Sequence, residues 1–108
     1  MAKYVIFFKF TPATVNGLMN NPSDRGAVVA QLCESAGGSM ESYYLMFGAW
    51  DGFVVFEVPD SSSAAAVSLA VTSTGAFGSI ETHELLETAQ FADVLSRAGG
   101  LAYTAPGS

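Results

Sequence analysis

The sequence predicts an α+β domain of the ferredoxin-like type, with two main helices on one face of a four-stranded antiparallel sheet. Three observations lead to this fold class. The chain of 108 residues has the length of one domain, 50% of its residues are apolar, and its elements follow the order strand, helix, strand, strand, helix, strand, with a short helix at the end. Because only 13% of the residues are charged, the composition excludes an intrinsically disordered chain.

The first half of the chain contains a strand and two helix starts. Residues 1–10 are dominated by β-branched and aromatic residues, which predicts a strand with two apolar faces. Thr11 followed by Pro12 is typical of a helix start, and this first helix is short. A second helix is expected to begin with Asn21 as its cap, because apolar residues recur at helical spacing up to the glycine pair at 37–38. That stripe consists of Val28, Val29, Leu32, Cys33 and Ala36.

Glycine and proline residues divide the second half into further elements. Asp60 follows a proline and is expected to cap a helix. The C-terminal glycine pair at 99–100 ends the last helix, so we place the domain at 1–98 and a tail at 99–108. The expected elements are strands over 39–47 and 50–58, a helix over 61–74, a strand over 78–86 and a short helix that Thr88 caps.

Charge and cysteine content narrow the classes of partner. Ten Asp and Glu residues against four Lys and Arg residues leave a net charge of -6, which argues against nucleic acid as a partner. A single cysteine, Cys33, excludes an internal disulfide and fits the cytoplasm, the expected location. No apolar run reaches the length of a membrane span, and the run at 4–8 is shorter than a signal-peptide core. The glycine pairs follow helices instead of preceding them, so we expect no phosphate loop. No cofactor is expected.

The uncovered face of the predicted sheet carries large apolar side chains. On the first strand, Val5 and Phe7 lie between Lys3 and Lys9, and Glu57 on a neighbouring strand is a candidate partner for Lys9. Apolar patches of this size are rare on soluble monomers. We therefore expect a homo-oligomer, formed through the open sheet face or through strand edges, and either closed or open-ended.

Five short segments form a recognisable set of motifs: Tyr4–Thr11, Pro22–Arg25, the hairpin segment Tyr43–Asp51, Glu57–Asp60 and Glu81–Leu85. Together they resemble the motifs of the GYD domain family of small bacterial proteins. The family usually has tyrosine where this chain has Trp50. The resemblance spans about residues 2 to 96 and implies a ferredoxin-like fold of the dimeric α+β barrel type, without implying a particular reaction.

Two polar residues are candidates for catalysis. His83 is the only histidine, and Glu81 lies two residues away on the same strand face, so the imidazole is either a base oriented by a carboxylate or a surface histidine. One histidine with carboxylates lacks the usual ligand count of a metal site, so none is expected. Asp51 either accepts hydrogen bonds from nearby backbone N–H groups, contacts a ligand, or forms an ion pair with Arg25.

Aromatic residues cluster around the predicted hairpin turn and are candidate ligand contacts, because tyrosine and tryptophan combine an apolar body with a polar group. The same composition is typical of interface cores. The candidate ligand-binding residues are Tyr43, Tyr44, Phe47, Trp50 and Arg25.

The preferred interpretation is a homo-oligomeric module that binds a small apolar ligand or serves assembly. One alternative is a cofactor-independent oxygenase or isomerase acting on a small apolar or aromatic substrate, with His83 as the base and Asp51 or Tyr43 orienting the substrate. Another is a structural filament or shell component built by pairing of strand edges.

Overall fold

A computed structural model describes residues 1–107 of the chain. Four strands form one antiparallel sheet in the order β2-β3-β1-β4, as the ferredoxin-like prediction requires. Within the described residues the elements are β1 (Ala2–Phe10), α1 (Pro12–Asn20), α2 (Arg25–Ser35), β2 (Ser39–Leu45), β3 (Gly52–Val58), α3 (Ser61–Thr72), β4 (Phe77–Leu85) and α4 (Thr88–Gly99).

The caps of two helices differ from the sequence prediction. Helix α2 is capped by Asp24, whose carboxylate accepts a hydrogen bond from the Ala27 N–H at 3.1 Å. The expected cap, Asn21, instead closes the end of α1. Helix α4 is capped by Glu87 and not by Thr88, because Glu87 forms a reciprocal capping box with the third residue of the helix. Several residues here are able to cap, and the geometry of the chain entry selects among them.

The β2–β3 hairpin has a longer loop than expected, since β2 ends at Leu45 and β3 begins at Gly52. The Met46 N–H donates to the Asp51 carbonyl at 2.8 Å, and the Asp51 N–H donates to the carbonyl of Phe8 at 2.8 Å. Backbone hydrogen bonds therefore close the loop and fasten it to β1. This contact brings the side chain of Asp51 next to the end of β1.

The core lies on the face of the sheet that α2 and α3 cover. Phe56 and Val58 at its centre are 0% exposed. Burial of a large apolar side chain contributes about 1.5 to 3 kcal/mol to stability. The other buried members of the cluster are Tyr4, Ile6, Cys33, Val54, Ala64 and Val67.

The opposite face of the sheet, called the open face below, has apolar side chains in adjacent registers. Val5 pairs with Val55, and Phe7 pairs with Phe53. Val5 is buried among its neighbours, whereas the other three are half-buried, and exposed Tyr44 lies beside Phe53. The apolar open face is thus present as predicted.

Helix α4 and the segment after it are solvent-exposed throughout their described length. Residues 101–107 of the expected tail contain no helix or strand, and Ser108 lies outside the described residues. Within residues 1–107, no helix combines the length and the apolar character that crossing a bilayer requires.

Candidate functional site

A cavity of about 320 Å³ lies between α2, α3 and the core face of the sheet. Most of its lining is apolar, and its volume reflects the composition of α3. That helix has the sequence SSSAAAVSLAVT, so it presents small side chains such as Ala70 and Val71 toward the cavity. These side chains are too short to fill the space opposite Val28 and Leu32 of α2. The apolar stripe of α2 is therefore only partly covered.

One end of this α2–α3 cavity is lined by aromatic rings. The ring of Phe8 stacks on that of Tyr43, with centroids 5.7 Å apart, and Phe77 meets Phe8 edge-on at 5.6 Å. Phe10 packs beside both phenylalanines, at 5.3 and 5.4 Å. Aromatic pairs of this kind contribute about 0.5 to 1.5 kcal/mol each beyond the burial of their area, so they stabilise this wall of the cavity.

Arg25 and Tyr43 are polar residues of the cavity lining. Burial raises the pKa of the Tyr43 hydroxyl, and the nearby Arg25 guanidinium opposes this rise. Among residues 1–107, the ion pairs involve Lys3, Lys9 and His83, and none involves Arg25. The guanidinium is therefore free to bind an acceptor group of a ligand.

Cys33 also lines the cavity and is 1% exposed. Burial raises the pKa of its thiol, so the neutral form is favoured. A neutral, enclosed thiol is a poor nucleophile and behaves as a small apolar side chain.

The aromatic hairpin residues do not form one site. Successive side chains of a strand point to opposite faces, so Tyr43 faces the cavity whereas Tyr44 lies on the open face, 5.7 Å from Phe53 by ring centroids. Trp50 also joins the open face, 6.0 Å from the ring of Phe7.

Phe47, in the hairpin loop, is 97% exposed. Of the five residues predicted from the sequence to bind a ligand, only Tyr43 and Arg25 line the α2–α3 cavity.

Asp51 does not pair with Arg25, so that prediction is wrong. Its carboxylate accepts a hydrogen bond from the Phe10 N–H at 2.9 Å. The same carboxylate forms an ion pair with the Lys9 ammonium at 3.1 Å. The hairpin loop lies against the end of β1, on which both donors are located. This arrangement assigns Asp51 a structural contact at the end of the sheet.

The expected pair between Lys9 and Glu57 is also wrong. In the β1–β3 register the residue opposite Glu57 is Lys3, while Lys9 lies near the hairpin loop. Lys3 itself donates to Glu41 at 2.8 Å, which raises the pKa of the lysine through that hydrogen bond. The antiparallel register therefore distributes the two lysines to opposite ends of the open face.

His83 lies on the open face, opposite Val5 of β1. Its Nε2 is 2.9 Å from a carboxylate oxygen of Glu81, and its side chain is 52% exposed. The His83–Glu81 contact expected from their spacing is present, but His83 does not line the cavity that contains Tyr43. Across residues 1–107, no group of three or more His, Cys, Asp or Glu side chains is arranged to hold a metal ion.

Sequence reasoning missed most of the cavity lining, including Val67, Val71 and Phe77. Two sequence features together indicate a cavity at this place: the apolar stripe on α2 and the run of alanines and serines in α3. A wide stripe opposite a helix of small side chains leaves volume unfilled. Only the spacing between the helices shows how large this volume is.

The topology and the cavity together define a class, a small ferredoxin-like α+β domain with an apolar chamber between sheet and helices. The GYD domain model matches residues 4–95, and the chain belongs to the GYD domain family. No curated protein matches the chain.

Two solved structures are similar to it in fold. The crystal structure of FFRP-DM1 has a TM-score of 0.55 at 10% identity, covering 80% of this chain and 100% of that one. At3g17210 from Arabidopsis thaliana has a TM-score of 0.50 at 10% identity, covering 82% of this chain and 96% of that one. At this identity the likeness concerns the fold alone.

Proposed function

We propose that this protein is a homo-oligomeric binding module that takes a small, mainly apolar molecule into the α2–α3 cavity. The observation that carries the proposal is the cavity itself, whose volume of about 320 Å³ falls within the range of small-molecule sites, roughly 300 to 1,000 Å³. An unfilled apolar space of this size costs stability, because the atoms around it lack packing partners. A bound apolar molecule would restore those contacts.

The lining also suggests the chemistry of the ligand. Its apolar walls favour an aliphatic or aromatic body, and the Arg25 guanidinium and Tyr43 hydroxyl favour one acceptor or anionic group attached to that body. We therefore expect a small apolar acid to bind better than the corresponding hydrocarbon or amine. The cytoplasm is the proposed location for this activity.

The cavity can be tested with 8-anilinonaphthalene-1-sulfonate, an apolar anion whose fluorescence rises in apolar surroundings. Substituting Val28→Trp places an indole at a cavity-lining position that is 46% exposed, so this change is expected to weaken dye binding at least tenfold. Val15→Trp is the matched control, because Val15 is a 40% exposed helical valine that does not line the cavity. Circular dichroism and thermal unfolding of both variants serve as the control for correct folding.

Two results would contradict the proposal. One is absence of dye binding to the unmodified protein, and the other is an equal effect of both tryptophan variants. Arg25→Gln tests whether the guanidinium recognises an anionic group of the ligand. This change is expected to weaken binding of the anionic dye more than binding of its neutral parent, N-phenyl-1-naphthylamine. Native mass spectrometry of protein purified gently from its own host then identifies any natural adduct.

A further inference from the structure

We infer that the ligand of the α2–α3 cavity is an unbranched monocarboxylic acid of about ten carbons, held with its carboxylate at Arg25 and its hydrocarbon end at Cys33 and Val67. This inference rests on the proposed function and deepens it. It specifies the direction in which the ligand lies, the length of its chain, and the residues that limit that length.

The sheet determines which residues of the cavity share an end. Phe10 at the end of β1 lies opposite Phe77, the first residue of β4, and its N–H donates to Asp51 of the β2–β3 loop. Helix α2 also begins at this end. Gly26 in its first turn lies against the ring of Tyr43, which a Cβ at that glycine would approach to 3.7 Å. We call this end of the cavity the hairpin end.

The two helices run in opposite directions from there. Helix α2 ends near the end of β3, because the Gly38 N–H donates to the Cys33 carbonyl at 3.0 Å and Gly38 itself lies against the Glu57 carbonyl. Helix α3 begins directly after β3 and returns to the hairpin end, where the chain enters β4. The lining therefore extends from Arg25 and Thr74 at the hairpin end to a second end, called the floor below.

The hydroxyl and guanidinium groups of the lining lie at the hairpin end, on Arg25, Tyr43 and Thr74. The Thr74 hydroxyl is engaged, since it donates to the carbonyl three residues earlier at 2.8 Å. Within residues 1–107 the Arg25 guanidinium forms no ion pair, and the adjacent Asp24 carboxylate caps α2. Burial raises the pKa of the Tyr43 hydroxyl, so it stays protonated. Arg25 and Tyr43 are thus able to donate hydrogen bonds to one carboxylate.

The floor consists of buried, uncharged side chains, namely Cys33, Phe56 and Val67. The Cys33 thiol is neutral there, because burial raises its pKa. A carboxylate placed at the floor would lose its hydration without gaining a charged partner, which is strongly unfavourable. A ligand with one acidic group therefore lies with that group at the hairpin end and its apolar end at the floor.

The cavity is long and narrow. Along α2 the helix axis advances about 12 Å from Arg25 to Cys33, and along α3 it advances about 10 Å from Val67 to Thr74. A volume of about 320 Å³ over this length corresponds to a mean width of about 5 to 6 Å. Since carbon atoms pack about 3.5 to 4.0 Å apart, one hydrocarbon chain fits across this width and two do not. An extended chain advances about 1.25 Å for each C–C bond, so about ten carbons span the cavity.

Isothermal titration calorimetry of the full-length protein with unbranched acids, from butanoic to tetradecanoic acid, tests the length. Each added methylene is expected to tighten binding about fourfold up to about ten carbons. Longer acids are expected to gain no further affinity, because the buried floor stops the chain.

The direction of the ligand is tested on the unmodified protein with decanedioic acid. This compound differs from decanoic acid by a second carboxylate at the far end of the chain. It is expected to bind about 100-fold more weakly, because that carboxylate would be buried at the floor without a partner.

The floor is tested with a matched pair of variants on α3. Val67 lines the cavity, whereas Leu69 is 69% exposed and lies outside it. In Val67→Phe the larger side chain shortens the cavity by about 4 Å, so the preferred acid is expected to become about three carbons shorter. Leu69→Phe is expected to keep the original preference. Cys33→Leu fills the floor from α2 with a smaller side chain, so it is expected to shorten the preferred acid by about one or two carbons even if Val67→Phe does not fold.

Three results would overturn the inference: affinities that do not depend on chain length, a diacid that binds as tightly as the monoacid, and floor variants that keep the original length preference. Each is distinguishable from failure of the proposed function. If the cavity takes up no ligand, the unmodified protein binds neither 8-anilinonaphthalene-1-sulfonate nor any of the acids. If the dye binds and acids of every length fail to bind, the cavity is a binding site and only the ligand class inferred here is wrong.

Discussion

The contact between Asp51 and the end of β1 allows the structural role of this acid to be measured. In Asp51→Ala the Phe10 N–H loses the carboxylate that accepts its hydrogen bond at 2.9 Å, and Lys9 loses its ion pair. A hydrogen bond to a charged group contributes roughly 1.5 to 3 kcal/mol. The ion pair contributes about 1 kcal/mol or less, because Lys9 is substantially exposed. We expect Asp51→Ala to lower the free energy of unfolding by about 2 to 3 kcal/mol.

Two further variants separate the contributions. Asp51→Asn keeps an oxygen that accepts from the Phe10 N–H but removes the charge, so it is expected to cost about 1 kcal/mol. Lys9→Met keeps the Asp51 carboxylate and removes the ion pair together with the hydrogen bond that the ammonium donates to the Gly48 carbonyl at 3.1 Å. It is expected to cost about 0.5 kcal/mol, because the lysine side chain is substantially exposed. Urea unfolding followed by circular dichroism provides the midpoint and slope for each variant.

The ranking of these three variants tests the reasoning. An Asp51→Ala protein within about 0.5 kcal/mol of the parent would show that the hydrogen bond does not hold the hairpin loop in solution. If Lys9→Met were as damaging as Asp51→Ala, the contacts of the Lys9 ammonium with Asp51 and with the Gly48 carbonyl would be the dominant contribution, and not the hydrogen bond from the Phe10 N–H. Either result would refute the account given for Asp51.

Three further predictions concern the core, a helix cap and the cysteine. Phe56 is 0% exposed, so Phe56→Ala is expected to lower the free energy of urea unfolding by about 3 to 5 kcal/mol. Phe47 is 97% exposed, so Phe47→Ala is expected to change this free energy by no more than about 0.5 kcal/mol. Equal changes in the two variants would contradict the assigned core. Hydrogen bonds from the Ser63 N–H and hydroxyl lower the pKa of Asp60 from 3.8. The Asp60 carboxylate therefore stabilises α3 fully above its unfolded-state pKa, and this stabilisation is lost as pH falls through the lower folded-state pKa. Asp60→Ala is expected to lower the melting temperature near pH 7 and to make the melting temperature fall less on acidification. A melting temperature that depends on pH in the same way in both proteins would contradict this role of Asp60. Because Cys33 is enclosed and burial raises its pKa, 5,5′-dithiobis(2-nitrobenzoic acid) is expected to react at the rate of unfolding, and fast reaction of the folded protein would contradict that burial.

The order of strands and helices follows from local patterns along the chain. The first strand is rich in β-branched and aromatic residues, and the stripe from Val28 to Ala36 has the helical period, so both elements were predictable without knowledge of the fold. The caps were less predictable, since Asn21, Asp24 and Glu87 are all able to accept hydrogen bonds at a helix end. Which residue caps depends on the direction in which the chain enters the helix.

The site was predictable only in part. Five residues were predicted from the sequence to bind a ligand. Two of them, Arg25 and Tyr43, line the α2–α3 cavity, whereas the three other aromatic residues, Tyr44, Phe47 and Trp50, lie outside it. Proximity in sequence suggested one aromatic cluster, but alternation along β2 places Tyr43 and Tyr44 on opposite faces. The pairing of Asp51 with Lys9 also depended on register, which the sequence alone left open.

By itself, the sequence determined the elements, their order, the apolar character of both sheet faces and the family to which the chain belongs. Each of these depends on residue type and local spacing, which are properties of short segments. Only the tertiary structure decided the volume between α2 and α3, the partner of Asp51, the position of His83 on the open face and the isolation of α4. These features depend on strand register, helix separation and chain direction, because they arise between segments that are distant along the chain.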